Sequence, residues 1–161
     1  MKLEQLFEND VEHHKTLKNT GFWGKEGAGG VIIAQDTGRM LLGLRSRMVE
    51  QPHTWGGFGG AIDGSENPEV AAIREIREET GLVDSTISNV MKSYAYEDSE
   101  TGFRYTNFIV EVSHEFTPKL NWENEEAEWF DLNNLPNNLH FGLTALLNSG
   151  EFKSYLRQGE E

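Results

Sequence analysis

Three glutamates at positions 75, 78 and 79 of this 161-residue sequence have a spacing that could support chemistry. Separations of three and four residues bring side chains onto one face of an α-helix, where like charges repel one another. A divalent cation would turn that repulsion into attraction, and several carboxylates suit hard ions such as Mg²⁺ or Mn²⁺. A solvated acidic helix face is the alternative, and the spacing alone leaves both open.

The flanking residues predict the helix that would carry these glutamates. Asn67 can cap a helix start, Pro68 is tolerated at the first helical position, and Gly81 supplies a stop. A second arc of the same helix would pack on a core, and it consists of Ala72, Ile73, Ile76 and Thr80.

The stretch from Gly60 to Leu82 resembles the Nudix box at every defined position. That signature is G-x5-E-x7-R-E-U-x-E-E-x-G-U, with U a bulky aliphatic residue, and this chain has Gly60, Glu66 and then REIREETGL over 74–82. So many fixed positions are far more specific than a lone glycine motif. The resemblance continues outside the box, where an acidic segment precedes Trp129 and a Leu-Pro pair ends at Pro136.

The resemblance implies an α/β (α+β) Nudix fold, in which a mixed β-sheet is sandwiched between helices and the box forms a loop-helix-loop. It also implies Mg²⁺- or Mn²⁺-dependent hydrolysis of a nucleoside diphosphate linked to another moiety. The favoured substrate is a nucleoside triphosphate or a damaged nucleotide, followed by ADP-ribose, nucleotide sugars and dinucleoside polyphosphates. A non-catalytic nucleotide-sensing module is the alternative. A related isomerase class is disfavoured because it uses a cysteine, and this chain has none.

Site roles follow from the same resemblance. Metal ligation is expected from Glu75, Glu78 and Glu79, with Glu79 the first choice. A backbone carbonyl at Gly59 or Gly60 is a further ligand, preferably Gly60, and these glycines let the backbone approach a substrate closely. Either Glu75 or an acid of the 123–126 loop, Glu123 or Glu126, would orient or deprotonate the water. Arg74 would pair with the box carboxylates and fix their rotamers, and Glu66 would do likewise or ligate weakly.

Two arginines outside the box are candidates for substrate binding. Arg45 and Arg47 are one residue apart, so in a strand both would face the same side. Their forked donors suit a phosphate or a base, and a solvent-exposed strand end is the alternative. Arg45 is the preferred candidate. The elements expected around the site are a hairpin of strands 30–34 and 40–44, strands over 86–96, 103–112 and around Trp129, a helix over 141–147, and a further turn or short helix over 151–157.

Composition limits the remaining possibilities. The net charge is −13, from 14 basic and 27 acidic residues, which argues against binding a nucleic-acid backbone and leaves a small-molecule nucleotide as the expected partner. Without cysteines, disulfides and thiolate zinc sites are excluded. No apolar run is long enough to cross a membrane, so a cytoplasmic location is expected. We predict a single domain over 24–161 after an N-terminal extension, 1–23, with helical apolar spacing; a homodimer stays open.

Overall fold

The computed structural model describes residues 26–49 and 51–159. The strands of this part are β1 (Glu26–Ala34), β2 (Met40–Arg45), β3 (Trp55–Gly56), β4 (Phe58–Ala61), β5 (Ile87–Glu97), β6 (Arg104–Val112) and β7 (Asn124–Phe130). The helices are α1 (Pro68–Thr80), α2 (Phe141–Leu147) and α3 (Gly150–Gly159), and a 3₁₀ turn spans Asp84–Thr86. The predicted N-terminal extension lies outside the described residues.

The strands form one mixed sheet of seven strands in the described part, with the order β3-β2-β1-β6-β5, β4 paired with β1, and β7 paired with β2. Strands β1 and β6 run parallel along their whole length, from Glu26 opposite Arg104 to Ala34 opposite Val112. Strand β1 is buried after its first residue, which suits a central strand covered on both faces.

Helices cover both faces of the sheet, so the predicted fold is confirmed. On one face Ile76 of α1 packs with Ile32 and Leu41. On the other face Leu143 and Leu146 of α2 and Phe152 of α3 pack with alternate residues of the same strands, such as Val31 and Leu42. The two-residue alternation of strand side chains therefore divides the core into two layers. Among the described residues, no helix is both long enough and apolar enough to cross a membrane.

Helix α1 begins and ends where its sequence predicts. The Asn67 side-chain oxygen accepts a hydrogen bond from the Val70 backbone N–H at 2.9 Å, and Pro68 is the first helical residue. At the other end Gly81 has φ of 74°, a left-handed conformation that favours glycine, and its N–H donates to the Arg77 carbonyl. These caps fix the position of the box glutamates along the helix.

Candidate active site

Glu79 is the most buried of the box carboxylates, with 4% of its surface exposed. Its Oε2 accepts a hydrogen bond of 2.8 Å from the Gly59 N–H of β4. Burial raises the pKa of Glu79 well above its usual range, and the nearby carboxylates of Glu123 and Glu75 raise it further. The helix therefore holds a carboxylate where an added positive charge would be strongly favourable.

Arg74 is the cation that organises the neighbouring acids. Its Nε and Nη2 donate to the two oxygens of Glu66 at 2.9 and 3.0 Å, which is the bidentate geometry that guanidinium and carboxylate favour. Nη1 donates to Glu75 at 2.9 Å and reaches Glu78 at 3.5 Å. Nη2 also donates to the Ala61 carbonyl, which ties the guanidinium to the end of β4. This is the pairing that the sequence predicts for Arg74, and Glu66 acts as its partner.

Glu75 lies between Arg74 and β4. Its side chain is 12% exposed, and burial raises its pKa to about 7 although Arg74 acts in the opposite direction. A Cβ at Gly60 would lie only 2.6 Å from the Glu75 carboxyl carbon, so any larger residue there would displace the Glu75 carboxylate. Glu78 is different, because 55% of its side chain is exposed to solvent.

The backbone of β4 favours Gly59 over Gly60 as the source of a metal-facing carbonyl. Within one strand residue, the N–H and C=O point to the same edge, and the next residue points to the opposite edge. The Gly59 N–H donates to Glu79 and so faces away from β1. The Gly60 carbonyl then faces β1, which corrects the preference for Gly60 as a carbonyl ligand.

The acidic segment before Trp129 supplies Glu123 to the site, whereas Glu126 lies elsewhere. The charge of Glu123 acts on both Glu75 and Glu79, and its carbonyl accepts a hydrogen bond from the Ser46 N–H. Glu126 is exposed, pairs across the sheet with Leu44, and shares a sheet face with Phe130. Phe130 packs on the layer of α2 and α3, opposite α1, so the candidate role of Glu126 is corrected by its position.

The two candidate arginines, Arg45 and Arg47, lie in different environments. Arg45 ends β2, is half-buried, and its positive charge opposes the rise in the pKa of Glu79. Arg47 is exposed and lies in the turn that follows, outside the strand. The expectation that both would face one side of a strand is therefore wrong, because β2 stops at Arg45.

A cleft lies on the other side of β4 from the box carboxylates, between the sheet and α2. Its polar lining includes Arg45, Asn107 and His140, and its apolar lining includes Phe58 and Tyr105. A Cβ at Gly59 would collide with the Tyr105 hydroxyl, so the glycine strand separates this cleft from Glu75 by little more than its own backbone.

His140 is a site residue that sequence reasoning missed. It caps α2 by accepting a hydrogen bond from the Gly142 N–H on Nδ1, so the neutral ring carries its proton on Nε2. Burial lowers its pKa to about 3, with a smaller effect from the Arg45 charge, and the ring is neutral at physiological pH. The available signal was its place directly before an apolar helix. Tyr105 and Asn107 were also missed, because neighbouring residues of one strand do not reveal which cleft they line.

The carboxylates have the right chemistry for a hard divalent cation, because Glu79 is buried next to two other acids. In residues 26–49 and 51–159, however, no three acidic or histidine side chains are already gathered around one point. Arg74 and the Gly59 N–H hold the carboxylates of Glu75 and Glu79 instead. The ligand roles of these residues therefore stay predictions.

Comparison with known proteins identifies the class to which this fold and site belong. The model of the NUDIX domain matches residues 25–147, so the chain belongs to the Nudix family. A crystal structure of a MutT NUDIX hydrolase from Burkholderia pseudomallei superposes with a TM-score of 0.60 and 26% identity, covering 78% of this chain and 97% of that one.

Two proteins of known name are similar to this chain in sequence. The chain is 31% identical over 134 residues to a Mycobacterium tuberculosis protein named, provisionally, as an 8-oxo-dGTP diphosphatase, covering 77% of this chain and 61% of the relative. It is 30% identical to the oxidized purine nucleoside triphosphate hydrolase of Danio rerio, covering 66% of this chain and 67% of the relative. This chain thus spans about three fifths of the mycobacterial relative.

Proposed function

We propose that this chain hydrolyses a phosphoanhydride bond of a nucleoside diphosphate linked to another group, by attack of water on phosphorus. The observation that carries the proposal is the buried Glu79 carboxylate of α1, which accepts the Gly59 N–H of the glycine strand β4 and lies within the influence of the charges of Glu123 and Glu75. The glycines of β4 let its backbone lie close to the Glu75 carboxylate on one face and to the Tyr105 hydroxyl on the other. The cleft on the other side of β4 presents polar side chains, Asn107 and His140, next to that point.

The carboxylates of Glu75 and Glu79, with Glu78 and the Gly59 carbonyl, would hold Mg²⁺ or Mn²⁺. When bound, such an ion would neutralise charge on the phosphate oxygens and lower the pKa of water. Glu79 is the best candidate ligand because its carboxylate accepts a hydrogen bond from a neutral backbone N–H, that of Gly59, and not from a cation. Arg74 would keep Glu75 in place through its hydrogen bonds to Glu66 and Ala61.

Glu123 is our candidate for the group that orients or deprotonates the attacking water. It is half-buried, lies on the loop before β7, and is close enough to raise the pKa values of Glu75 and Glu79. Because Glu123 lies on a loop and not on the buried helix α1, it is placed to accept a proton from the attacking water as a general base.

The cleft supports a nucleoside triphosphate or a damaged nucleotide as the first substrate class. Asn107 offers both donors and an acceptor, and the neutral His140 ring offers an N–H donor, so a base edge could be read by hydrogen bonds there. The names of the mycobacterial and zebrafish relatives point to oxidised purine nucleotides. The next candidate substrate classes are ADP-ribose, nucleotide sugars and dinucleoside polyphosphates.

The test is product release from a nucleotide panel with Mg²⁺, Mn²⁺ or EDTA, repeated with Glu79→Gln and with the control Glu128→Gln. Glu128 is an exposed acid of β7 on the α2 and α3 side, so the same substitution there leaves the cluster intact. We expect metal-dependent turnover of one class, lost by orders of magnitude only in Glu79→Gln. Full activity of that variant would overturn the assignment. If nothing turns over but a nucleotide raises Tm, the sensing module replaces the hydrolase.

A further inference from the structure

A second cavity lies between α3 and the sheet, on the face opposite α1. Its volume is about 530 Å³, within the range of roughly 300–1,000 Å³ that small-molecule sites occupy. Its lining shares no residue with the cleft beside His140. Ile33 lines it and lies on β1 about 13 Å beyond Gly29, the partner of Gly59, at about 3.3 Å per residue. The cavity is therefore distinct from both the cleft and the carboxylate cluster.

The wall of this cavity is largely apolar. Ile33 of β1 and Met91 of β5 line it from the sheet, Leu156 lines it from α3, and Leu132 lines it from the loop after β7. All four side chains belong to the hydrophobic layer between the sheet and helices α2 and α3. An apolar molecule that contacts these side chains would lose contact with water on the same sides, which favours binding.

Glu111 of β6 places a carboxylate in this apolar wall. It lies opposite Ile33 of β1 and opposite Asn89 of β5, so the three residues share the face toward α3. The Tyr155 hydroxyl donates to Glu111 Oε2 at 2.7 Å, and the Asn89 side-chain amide donates to Oε1 at 3.4 Å. Since a carboxylate has about four acceptor positions, Glu111 can accept further hydrogen bonds from a ligand.

Tyr155 acts as a donor in this contact and does not share the negative charge. Burial raises the pKa of the phenol above its ordinary range, and the hydrogen bond to Glu111 and the charge of that residue raise it further. The pair therefore presents one negative charge to the cavity, on Glu111.

None of the described residues supplies a cation to Glu111. No lysine, arginine or histidine of 26–49 and 51–159 lies at ion-pair distance from its carboxylate. Lys153 and Arg157 of α3 are exposed and lie about 200° around the helix from Tyr155. Lys92 of β5 lies opposite Phe108, which packs on the α1 side of the sheet.

Arg39 follows Gly38, a lining residue, but its charge is already compensated. Its Nε donates to Asp131 Oδ1 at 3.3 Å, and its Nη1 lies 3.9 Å from Glu115 Oε2. Two carboxylates thus share this one guanidinium. The charge balance around the cavity is negative, and the carboxylate that faces its apolar wall is Glu111.

We propose that this cavity binds an organic cation, a protonated amine carried on an apolar body. The amine donates to Glu111, and the apolar body packs against Ile33, Met91 and Leu156. Binding requires neither divalent metal nor nucleotide, so it stands or fails independently of the proposed hydrolysis.

The test uses the full chain in EDTA at constant ionic strength, with three probes that share an indole ring. Tryptamine carries a protonated amine, N-acetyltryptamine is neutral, and indole-3-acetate is an anion. Backbone amide shifts are followed by NMR during each titration. We expect saturable shifts at Glu111, Asn89 and Leu156 with tryptamine, and little change at Gly59 and Glu79. The Kd of N-acetyltryptamine should be at least about tenfold higher, and indole-3-acetate should not saturate.

Variants separate the charge from the apolar wall. Glu111→Gln keeps an oxygen that can accept from Tyr155, and it should raise the Kd of tryptamine at least about tenfold while leaving that of N-acetyltryptamine within about twofold. Met91→Ala should raise both Kd values about three- to tenfold, because it removes apolar contact. Glu128→Gln is the matched control, an exposed acid on the same face three strands from β6, about 14 Å away, and it should change neither value.

Tyr155→Phe tests whether Glu111 merely anchors α3. This variant breaks the anchoring hydrogen bond and keeps the carboxylate, so it should bind tryptamine at least as tightly as the wild type. Loss of binding equal to that of Glu111→Gln would show that the pair acts only through the position of α3, and would overturn the proposal.

The proposal also fails if tryptamine gives no saturable shifts at the cavity, or if the neutral probe binds as tightly as the cation. Equal weakening by Glu128→Gln and Glu111→Gln would indicate general attraction of a cation to an acidic chain, and would refute a defined site. The native amide spectrum checks that each variant is folded. The comparison of the three probes uses the wild type alone, so the test stays decisive if a variant does not fold.

Discussion

Replacement of Glu75 by glutamine should stabilise the metal-free chain at alkaline pH. The side chain is 12% exposed and lies against the Cα of Gly60 and the guanidinium of Arg74. Glutamine has the same shape, and its side-chain oxygen can still accept the hydrogen bond from Arg74. What the substitution removes is a carboxylate that burial makes costly to ionise.

The size of the effect follows from the pKa. The value for Glu75 is about 7 in the folded chain against an ordinary value of 4.5. With about 1.4 kcal/mol per pKa unit, ionisation at pH 8 lowers folding stability by about 3 kcal/mol, and at pH 5 by less than about 1 kcal/mol. Because the folded pKa is higher than the ordinary one, the neutral Glu75 side chain contributes stability that is fully present below pH 4.5. That contribution is lost as the pH rises through 7.

Thermal unfolding in EDTA at pH 5 and pH 8 measures the difference. For a chain of this length, about 3 kcal/mol corresponds to a rise in Tm of roughly 6–12 °C for Glu75→Gln at pH 8, and the gap should nearly close at pH 5. Glu78→Gln is the control, since 55% of that side chain is exposed and its neutralisation should change stability by less than about 0.5 kcal/mol. A Glu75→Gln variant less stable than the wild type at pH 8 would refute the reasoning.

Other predictions use the same cluster and the cleft. Mg²⁺ at pH 8 should raise the Tm of the wild type more than that of Glu75→Gln, with about 2.7 kcal/mol of stabilisation at 100 Kd, and EDTA should reverse the rise. Gly60→Ala should lower kcat at least tenfold because its Cβ meets the Glu75 carboxylate, while circular dichroism stays native. Arg74→Lys should lower the free energy of unfolding by about 1–3 kcal/mol in urea, since the forked pairing with Glu66 is lost. The His140 ring should show no titration by NMR between pH 8 and 5, because its folded pKa is about 3. Since the unfolded chain takes up this proton near pH 6.5, the stability that the neutral ring contributes is lost as the pH falls from 6.5 towards 3.

Helix α1 could be predicted from sequence because its limits are set by local chemistry. Asn67 caps the first turn through its own side chain, and Gly81 closes the last turn in a conformation that other residues rarely adopt. The spacing of Arg74 and the glutamates then places them along one stretch of helix without any knowledge of the sheet. The resemblance predicted that Arg74 pairs with box carboxylates, but the structure is what identifies Glu66, in the loop before the helix, as its two-point partner.

Other positions depended on contacts between distant segments. Strand β2 ends at Arg45, so alternation no longer applies to Arg47. Alternation along β7 places Glu126 with Phe130 on the face away from α1, and this follows only once the packing of Phe130 is known. The cleft residue Asn107 is likewise defined only by the packing of β6 beneath α2.

The distribution of charge explains why Glu79, and not Glu78, is the centre of the site. Arg74 reaches Asp63, Glu66, Glu75 and Glu78 within 3.5 Å, so one guanidinium compensates the acids on its own side of the helix. Glu79 receives the Gly59 N–H and only the more distant influence of Arg45, while Glu75 and Glu123 repel it. A buried carboxylate in that position lowers the stability of the metal-free fold. Sites that break the rules of local consistency are commonly functional ones, and a cation placed between Glu79 and Glu123 would relieve the conflict that Arg74 leaves behind.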